Sequence, residues 1–557
     1  MSLDKNSLAK ESYYISTAIN YTNGNPHIGH AYEIVIADIL ASYNKLIGKN
    51  VYFLTGSDEH GQKIAERAAS LNMEPIEVCD YYAEKFVNLN TSLDAVPSNY
   101  IRTTSRKHIT CAEDFWTKVL QNGDIYLGQY EGWYNVREER FVSETEASTD
   151  DYKDKITGKL LEKASEPSYF FRLSKYGDRI KKYIRDNPQF ILPISSRNEI
   201  LCRLESDELA DISVSRTTVK WGIPVPNDNS HTMYVWFDAL INYLSGVPID
   251  SDIWPANFQL IGKDITWFHA VIWTAMLMSV ELQLPVTIFS HGHVVDKYGI
   301  KMSKSLGNAV CPFELLTEVN SDSIRYYFSK QSKLGEDIPL NVDTIKQMAD
   351  ADLNKSFGNY VHRVLCLVKK YKEYLQFSRI SFPYHQIDPS VFNLTDIKTE
   401  LVGRMNELDL MGYVTSINIL VQVLNVYLTQ KQPWTLFKKE PRNQLLRYPL
   451  QHPTEELNAE DFGKNDEENL NNLGQILKTC IEGLYVSAIF YYPIIPNIIN
   501  KLFTTHGWTL PESLTDVTEN NVDINLLTLG DTPEVLFSWY GLKKHEKLKL
   551  KQKLNNK

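Results

Sequence analysis

The feature that most constrains the fold is a strand–turn–helix–strand pattern near the start of the chain. Residues 13–19 (YYISTAI) form a short apolar run rich in β-forming residues, which predicts a buried strand. Residues 31–47 carry apolar residues at helical spacing and end at Gly48, and a second apolar run follows at residues 51–55. A unit of this length predicts two parallel strands joined by a right-handed helical crossover, which is typical of an α/β fold.

The turn between the first strand and the helix has the sequence NPHIGH. Asn25 is predicted to cap the helix and Pro26 to occupy its first position, where the missing N–H costs nothing. This places His27 and His30 one turn apart at the positive end of a helix dipole, which attracts anions. Two imidazoles with Gly29 between them suit a planar base lying on the turn and a phosphate beside it.

Length, charge and cysteine spacing bound the class of protein. At 557 residues the chain exceeds one ordinary core, so roughly two to four domains are expected. The net charge of −11 argues against a protein that coats nucleic acid through bulk charge, but it leaves room for a local basic patch. The six cysteines are scattered without a CxxC or CxxH pair, so a reducing compartment is favoured and no structural zinc is predicted.

The sequence shows no recognisable signal for export, organelle import or membrane insertion. No secretory signal, transit peptide or apolar run approaching about 20 residues is visible in the sequence. The chain is therefore predicted to be cytoplasmic and not bound to a membrane, with an organellar role left open.

Polar residues follow the second predicted strand and reappear much later in the chain. Asp58 and His60 lie in the stretch GSDEHG, at the end of the sheet where ligands bind in open α/β folds; a plain helix cap is the alternative. Further on, an apolar strand at 286–290 precedes a glycine-bounded loop that contains Lys301 and Lys304. Two lysines among small residues would make a mobile clamp for polyphosphate, and a merely solvated stretch is the alternative.

Two short motifs, taken together, resemble the signatures of class I aminoacyl-tRNA synthetases. His27-Ile28-Gly29-His30 and Lys301-Met302-Ser303-Lys304-Ser305 occur in the same order as those signatures, on opposite halves of an interrupted sheet. The surrounding sequence is similar to the methionyl branch of that family from about residue 13 to about residue 540. The stretches that carry this resemblance are TAINYTNG at 17–24, GSDEHG at 56–61, YVWFDA at 234–239, IGKD at 261–264 and QPW at 432–434.

The resemblance implies a Rossmann-like catalytic domain with a parallel sheet, an inserted connective domain and an α-helical anticodon-binding bundle. The insertion is expected to be the form without zinc, because residues 131–142 lack the cysteines of the zinc knuckle that many members carry. No appended dimerisation domain is visible, so a monomer is expected. The predicted domains are 1–123 (first catalytic half), 124–215 (insertion), 216–300 (second catalytic half), 301–345 (KMSKS loop and stem-contact region) and 346–557 (bundle with a basic C-terminal tail).

The reaction implied by the resemblance is activation of methionine by ATP, followed by transfer to the 3′ end of methionine tRNA. The methionine carboxylate attacks the α-phosphate in line, so positioning and charge stabilisation are expected to supply the rate. His27 and His30 would donate to the phosphates, while Lys301 and Lys304 would hold the departing pyrophosphate together with Mg²⁺. The full set implied for ATP is His27, Gly29, His30, Gly262, Asp264, His291, Val294, Lys301 and Lys304.

The resemblance also implies residues for methionine and for the CAU anticodon. Asp58 would pair with the ammonium group, and aromatic rings would suit the polarisable sulfur. The methionine set is Ile19, Tyr21, Asp58, Trp236, Ala239, Tyr243, Phe268 and His269, and the anticodon set is Asn359, Arg363 and Trp434. The residues alone leave simpler roles open: core positions for Trp236 and Phe268, structural roles for His291 and His293, and a helix ladder with a core Trp434.

Three rival functions fit parts of the pattern. The cysteine enzyme of class I would show its own cysteine–zinc ligands, which are not visible. A non-catalytic tRNA-binding relative has no need for the histidines and lysines of both motifs. A small nucleotidylyltransferase with the same HxGH turn would not explain the helical C-terminal third.

Overall fold

The computed structural model describes residues 10–135, 140–142, 144–154, 158–206, 208–249, 251–302, 308, 310–377, 387–436 and 464–518. The chain divides into two compact units. The first unit comprises Met1–Asn44, Lys49–Pro312 and Gly335–Pro339, and the second comprises Lys45–Gly48, Phe313–Leu334 and Leu340–Lys557.

The first unit is built on a seven-stranded sheet in which every pair of neighbours is parallel. Its order is β2-β3-β1-β13-β14-β8, with β4 also paired to β3. The predicted parallel crossover is therefore present, and Ile15 of β1 lies beside both Phe53 and Phe258. The strands are β1 Ser12–Thr17, β2 Asn20–Tyr21, β3 Asn50–Asp58, β4 Asn99–Arg102, β5 Ile125–Asn135, β6 Arg140–Val142, β7 Glu162–Phe171, β8 Ile191–Leu192, β9 Ile212–Ser213, β10 Ser215–Arg216, β11 Pro224–Val225, β12 Asp228–Met233, β13 Phe258–Gly262, β14 Ile288–His291, β15 Val294–Val295 and β16 Ile338–Pro339.

Eleven helices of the described residues begin within or at the end of the first unit. They are α1 Ile28–Leu46, α2 Gln62–Leu71, α3 Pro75–Ser92, α4 Arg106–Gln121, α5 Glu144–Thr149, α6 Gly177–Asp186, α7 Ile194–Ser206, α8 Val235–Leu240, α9 Asn242–Ser245, α10 Thr274–Ser279 and α11 Pro312–Glu318. A π-helical segment, Phe268–Trp273, leads into α10. The helix that follows the first strand begins at Ile28, two residues after Pro26, which the sequence predicts as its first position.

Residues 124–215, the range predicted as an insertion, contain a four-stranded antiparallel sheet of order β6-β5-β7-β9. The long pair β5 and β7 runs from Ile125 opposite Phe171 to Tyr134 opposite Glu162. Strand β8 lies within the same range but pairs with β14 of the parallel sheet. The inserted range therefore returns one strand to the sheet that it interrupts.

The core of the first unit is rich in aromatic side chains. Trp116 of α4 and Trp273 are fully buried, and the ring of Trp116 meets that of Phe237 edge to face with centroids 5.2 Å apart. Phe115 contacts both Phe237 and Trp273. Large apolar area removed from water supplies most of the favourable free energy of folding, so this cluster fixes the helices that follow the strands.

The second unit is helical in its described part, as the sequence predicts for the bundle. Its helices after α11 are α12 Ser321–Gln331, α13 Val342–Met348, α14 Asn359–Phe377, α15 Leu394–Asn406, α16 Leu410–Lys431, α17 Lys464–Tyr491 and α18 Pro496–His506. A π-helical segment, Ala349–Gly358, joins α13 to α14. The fully buried Arg325 of α12 donates to the carbonyl oxygens of Pro493 and Ile494, which ties α12 to the turn between α17 and α18.

Two helical segments of the second unit pass the length and apolarity test for a membrane span, whereas none was expected from the sequence. They are Leu410–Thr435 and Asn471–Tyr491, and 44% and 94% of their most apolar windows are buried within the protein. A buried core helix of a bundle passes the same test, so these two segments are weak evidence for a membrane span.

Candidate active site

The turn before α1 is organised by its two histidines. The imidazole Nδ1 of His27 accepts a hydrogen bond from the backbone N–H of Gly29 at 3.1 Å, so His27 caps the helix. The predicted caps are therefore wrong: the helix starts after His27, and the side chain of Asn25 instead accepts from Lys85 at 2.7 Å. A Cβ on Gly29 would lie 2.9 Å from the His27 ring, which explains why a residue without a side chain stands there.

The hydrogen bonds also fix which ring nitrogens carry protons. Nδ1 of His30 accepts from the backbone N–H of His27 at 3.1 Å, and the two rings stack with centroids 3.8 Å apart. Because Nδ1 is an acceptor in both rings, each neutral imidazole carries its proton on Nε2. Both histidines are thus set to donate from Nε2, which is the role that a phosphate ligand requires.

Strands β2 and β3 bring Tyr21 and Asp58 side by side. These residues are direct partners in the parallel pair, and Asp58 is the last residue of β3 rather than the start of a loop. The phenol of Tyr21 donates to the carbonyl oxygen of His60 at 2.9 Å. The structure therefore brings together two of the residues predicted for methionine, Asp58 for its ammonium group and Tyr21 for the pocket.

Glu59, next to Asp58, is a fully buried residue that the sequence did not single out. Its carboxylate accepts from Ser57 at 2.5 Å and from Arg102 at 2.7 Å, and also from Thr104. Arg102 in turn contacts Asp80 at 2.6 Å. An acidic residue in a strand-end turn gives no sequence signal that separates such a structural carboxylate from one that binds ligand.

The residues predicted for the thioether form one aromatic cluster. Trp236 and Phe268 stack with centroids 3.9 Å apart and planes 14° apart, and both are only half-buried. The ring planes of His269 and Trp236 are 85° apart with centroids separated by 6.4 Å, and Ala239 is buried on the same helix as Trp236, α8. Partial exposure of a parallel aromatic pair favours a pocket wall over the core position that the sequence left open.

Tyr243 and His269 form a buried, uncharged pair. Nδ1 of His269 must donate to the carbonyl oxygen of Ile265, 2.9 Å away, so Nε2 accepts the hydroxyl proton of Tyr243 at 2.8 Å. Burial lowers the pKa of His269 to about 4, against a smaller opposing effect of the Ile265 hydrogen bond, and burial raises that of Tyr243. The pair is therefore neutral at physiological pH, as a thioether side chain requires.

Lys301 reaches back across the sheet to the end of β13. Its ammonium contacts the carboxylate of Asp264 and lies 3.0 Å from Nε2 of His293, which is itself 2.9 Å from Asp264. Burial would raise the pKa of Asp264, but His293 and Lys301 together hold it well below its usual range. Asp264, predicted for ATP, thus contacts the lysine of the loop, and Lys304 lies outside the described residues.

His291 and Val294, predicted for ATP, are both buried. His291 presents Nε2 to Glu33 at 2.8 Å and Nδ1 to the carbonyl oxygen of Gly292 at 2.8 Å, so both nitrogens face protein acceptors. These contacts favour the structural role that the sequence left open for His291. Val294 is buried and pairs with Ile338, while Gly262 lies at the end of β13 opposite His291.

The residues predicted for the anticodon lie on the second unit. Arg363 of α14 donates to the side chains of Asn425 at 3.1 Å and Thr429 at 2.9 Å, both on α16. Asn359, one turn earlier on α14, is exposed. Trp434 lies two residues after Gln432, whose φ of 42° is in the left-handed region. The side chain of Trp434 is 41% exposed, so the core alternative for this tryptophan is wrong.

Comparison with known proteins covers most of the chain. The family model described as "tRNA synthetases class I (M)" matches residues 13–365. A methionine–tRNA ligase of Rickettsia prowazekii is 36% identical over 517 residues, which are 91% of this chain and 94% of that protein. A methionine–tRNA ligase of Brucella suis is 40% identical over 445 residues, which are 78% of this chain and 85% of that protein.

Solved structures give the same result. A Mycobacterium tuberculosis methionyl-tRNA synthetase bound to methionyl-adenylate superposes with a TM-score of 0.80 at 31% identity, covering 92% of this chain and 98% of that one. A second structure of the same enzyme in complex with methionyl-adenylate gives 0.76 at 32% identity, covering 90% and 94%. The expected fold class, a Rossmann-like parallel sheet followed by a helical region, is confirmed.

Proposed function

The chain belongs to the class I tRNA synthetases of the methionyl family, and we propose that its site residues divide the work of that reaction as follows. The chain is a methionine–tRNA ligase: it activates methionine with ATP to methionyl-adenylate and transfers the methionyl group to tRNA. The prediction from the two motifs is confirmed at this level. The roles of single residues rest on the geometry described above.

We assign the α-phosphate to the start of α1. In both His27 and His30, Nδ1 accepts a hydrogen bond from the backbone, so the Nε2–H lies on the opposite side of the ring. The helix dipole adds positive potential at this point. Attack by the methionine carboxylate needs no proton removal at neutral pH, so fixed donors at the developing charge supply the acceleration. Gly29 lets the nucleotide lie against the turn, since a side chain there would meet the His27 ring.

The methionine site joins a charged end to a neutral end. Asp58, beside Tyr21 at the end of β3, is assigned to the ammonium group, and Ile19, which directly precedes β2, is assigned to the same pocket. The thioether is assigned to the stacked Trp236 and Phe268 with Ala239 and the neutral Tyr243–His269 pair. Aromatic faces stabilise a polarisable sulfur, whereas a charged group there would have to be desolvated.

Lys301 is proposed to change partners during the reaction. The contact with Asp264 and His293 holds its ammonium near the site, and the phosphates of MgATP would replace Asp264 as its partner. Lys304 is assigned the same role by its place in the motif. Asp264, Gly262, His291 and Val294 remain predictions for the nucleoside, and the Mg²⁺ enters as part of the substrate, held by its phosphate oxygens.

The anticodon is assigned to the second unit. The exposed indole of Trp434 offers a stacking face for an unpaired base, and Arg363 is held in place by Asn425 and Thr429. Asn359 on the same helix supplies a side-chain amide for base edges. We further propose that the enzyme is a monomer, binds no zinc and works in the cytoplasm, with an organellar role as the alternative. Sedimentation of the purified chain tests the monomer, and metal analysis tests the absence of zinc.

The main support for methionine as the substrate is the neutral aromatic cluster formed by the Trp236–Phe268 stack and the Tyr243–His269 pair. Its test is ATP–pyrophosphate exchange with each of the twenty amino acids in turn. Exchange with methionine alone is expected. Absence of exchange with methionine, or an equal rate with another amino acid such as cysteine, would contradict the assignment.

A further inference from the structure

A buried carboxylate joins three separate elements of the first unit. Asp238 of α8 is fully buried, and its Oδ2 lies 2.6 Å from Nδ1 of His60, which follows β3. Its Oδ1 lies 2.6 Å from Nε2 of His108 in the first turn of α4. Nδ1 of His108 then lies 2.7 Å from the hydroxyl of Ser245 on α9. The contacts span 178 and 130 residues of sequence, so nothing local places these groups together.

The direction of these hydrogen bonds follows from the state of the carboxyl group. Burial would raise the pKa of Asp238, but His60 and His108 outweigh burial and lower it to about 2. The ionised carboxylate can only accept, so His60 donates from Nδ1 and His108 donates from Nε2. An amide in place of the carboxylate could accept from only one of the two rings.

One side of this network carries the polar end of the amino-acid site. His60 stands two residues after Asp58, and its carbonyl oxygen accepts the phenol proton of Tyr21 at 2.9 Å. Trp221 also holds the residues on either side of His60. Its indole N–H donates to the carbonyl oxygen of Glu59 at 2.6 Å, and its backbone carbonyl oxygen accepts from the N–H of Gly61 at 3.0 Å. Movement of His60 would therefore move Asp58 and Tyr21.

The other side carries the thioether end. Asp238 stands two residues after Trp236 and directly before Ala239 on α8. Tyr243 follows on α9, whose last residue, Ser245, closes the network through His108. The single carboxylate of Asp238 thus lies between the wall assigned to the ammonium group and the wall assigned to the sulfur.

We propose that Asp238, through His60 and His108, is a positioning residue that sets the separation of the two walls of the methionine pocket. The proposal rests on the methionine site assigned above, and none of the three residues is itself assigned to touch the substrate. A buried ion is a costly way to stabilise a core, since well-packed apolar residues serve as well or better. The carboxylate of Asp238, shared by the rings of His60 and His108, fixes the relative positions of the segments that carry them. A binding site that must match a ligand at both ends needs such a fixed geometry.

The test compares Asp238→Asn with a matched control in the same unit. Asp124 is also a buried carboxylate, held by Lys175 at 2.6 Å, Ser279 at 2.8 Å and Tyr176, and none of these partners in the described part of the chain is assigned to the site. In pyrophosphate exchange, Asp238→Asn is expected to raise KM for methionine about tenfold or more and to leave KM for ATP within about twofold. Asp124→Asn is expected to leave the ratio of the two KM values unchanged.

A second variant keeps the test decisive if Asp238→Asn does not fold. His60→Ala removes one arm of the network at its edge, and it is expected to raise KM for methionine by a similar factor. Because both changes break the same link, the double variant should show no further rise beyond the larger single effect. If both proteins fold and KM for methionine is unchanged, or if KM for ATP rises equally, the proposal is overturned.

Failure of the proposed function gives a different result. If the unaltered enzyme does not exchange methionine, the substrate assignment fails before any variant is compared. If it does exchange methionine and Asp238→Asn behaves like Asp124→Asn, the substrate assignment stands and only the positioning role is overturned.

Discussion

The neutral imidazole of His269 leads to a stability prediction that does not depend on any assay of activity. His269 is buried between Tyr243 and the carbonyl oxygen of Ile265, and burial lowers its pKa from 6.5 to about 4. In the unfolded chain the same ring titrates near its ordinary value. Between these two values the unfolded state binds the proton and the folded state does not, so acid favours unfolding.

The size of the effect follows from linkage. Each pKa unit of difference corresponds to about 1.36 kcal/mol, so His269 should withdraw a total of about 3 kcal/mol of stability once the pH has fallen from above 6.5 to below 4. Of this, about 2 kcal/mol is lost between about pH 7 and about pH 5. The stability that depends on His269 is therefore complete above pH 6.5 and declines as the pH falls toward 4.

The measurement compares the unaltered protein with His269→Gln by chemical denaturation, following tryptophan fluorescence of the first unit. Glutamine can donate to Ile265 and accept from Tyr243 but does not titrate, so it isolates the proton. The difference between the two proteins at about pH 7 gives the cost of altered packing and serves as the internal control. On moving to about pH 5, the unaltered protein should lose about 2 kcal/mol more than the variant.

A parallel decline of both proteins would refute the reasoning. It would mean that His269 is protonated in the folded state at about pH 5, and hence that the sulfur end of the pocket is not neutral as the hydrogen bonds indicate.

Two further predictions concern the loop lysine and the anticodon surface. Lys301→Ala should lower kcat of pyrophosphate exchange about 10²–10³-fold, the usual loss for one preorganised donor, while KM for methionine stays within a few-fold; an unchanged kcat would show that Lys301 does not leave Asp264 for the phosphates. Trp434→Ala should weaken tRNA charging about 5- to 150-fold through lost base stacking and leave exchange unaffected, and a joint fall of both activities would remove Trp434 from the anticodon surface.

The sequence predicted the sheet and the paired motifs because those depend on local patterns. Apolar strands, helical spacing and glycine-bounded turns are set by nearby residues, and the apolar run predicted as a strand at 51–55 lies within β3, Asn50–Asp58. The start of α1 was missed because a histidine side chain caps it, and histidine is not among the usual capping residues.

The parts of the site that could not be predicted are contacts between distant segments. The family resemblance assigned Asp264 to ATP, but nothing in the sequence indicated its contact with Lys301, 37 residues later. The link from Asp238 to His108 joins an aromatic stretch to a helix that carried no functional signal at all. Such pairs depend on tertiary packing, which periodicity and spacing do not encode.

The order of strands in the parallel sheet has a consequence for the synthesis of the protein. Strand β1 pairs on one edge with β3, which follows closely in the chain. Its other edge pairs with β13, whose residues lie 243 positions further along the chain than their partners in β1. At about 5–20 residues per second, a ribosome needs roughly 12 to 50 seconds to supply that partner. Throughout this interval the nascent chain exposes a row of unpaired backbone groups along β1, which is a template for pairing with other chains. The topology that gathers distant segments at one crevice therefore leaves one edge of the first strand without its native partner during this part of translation.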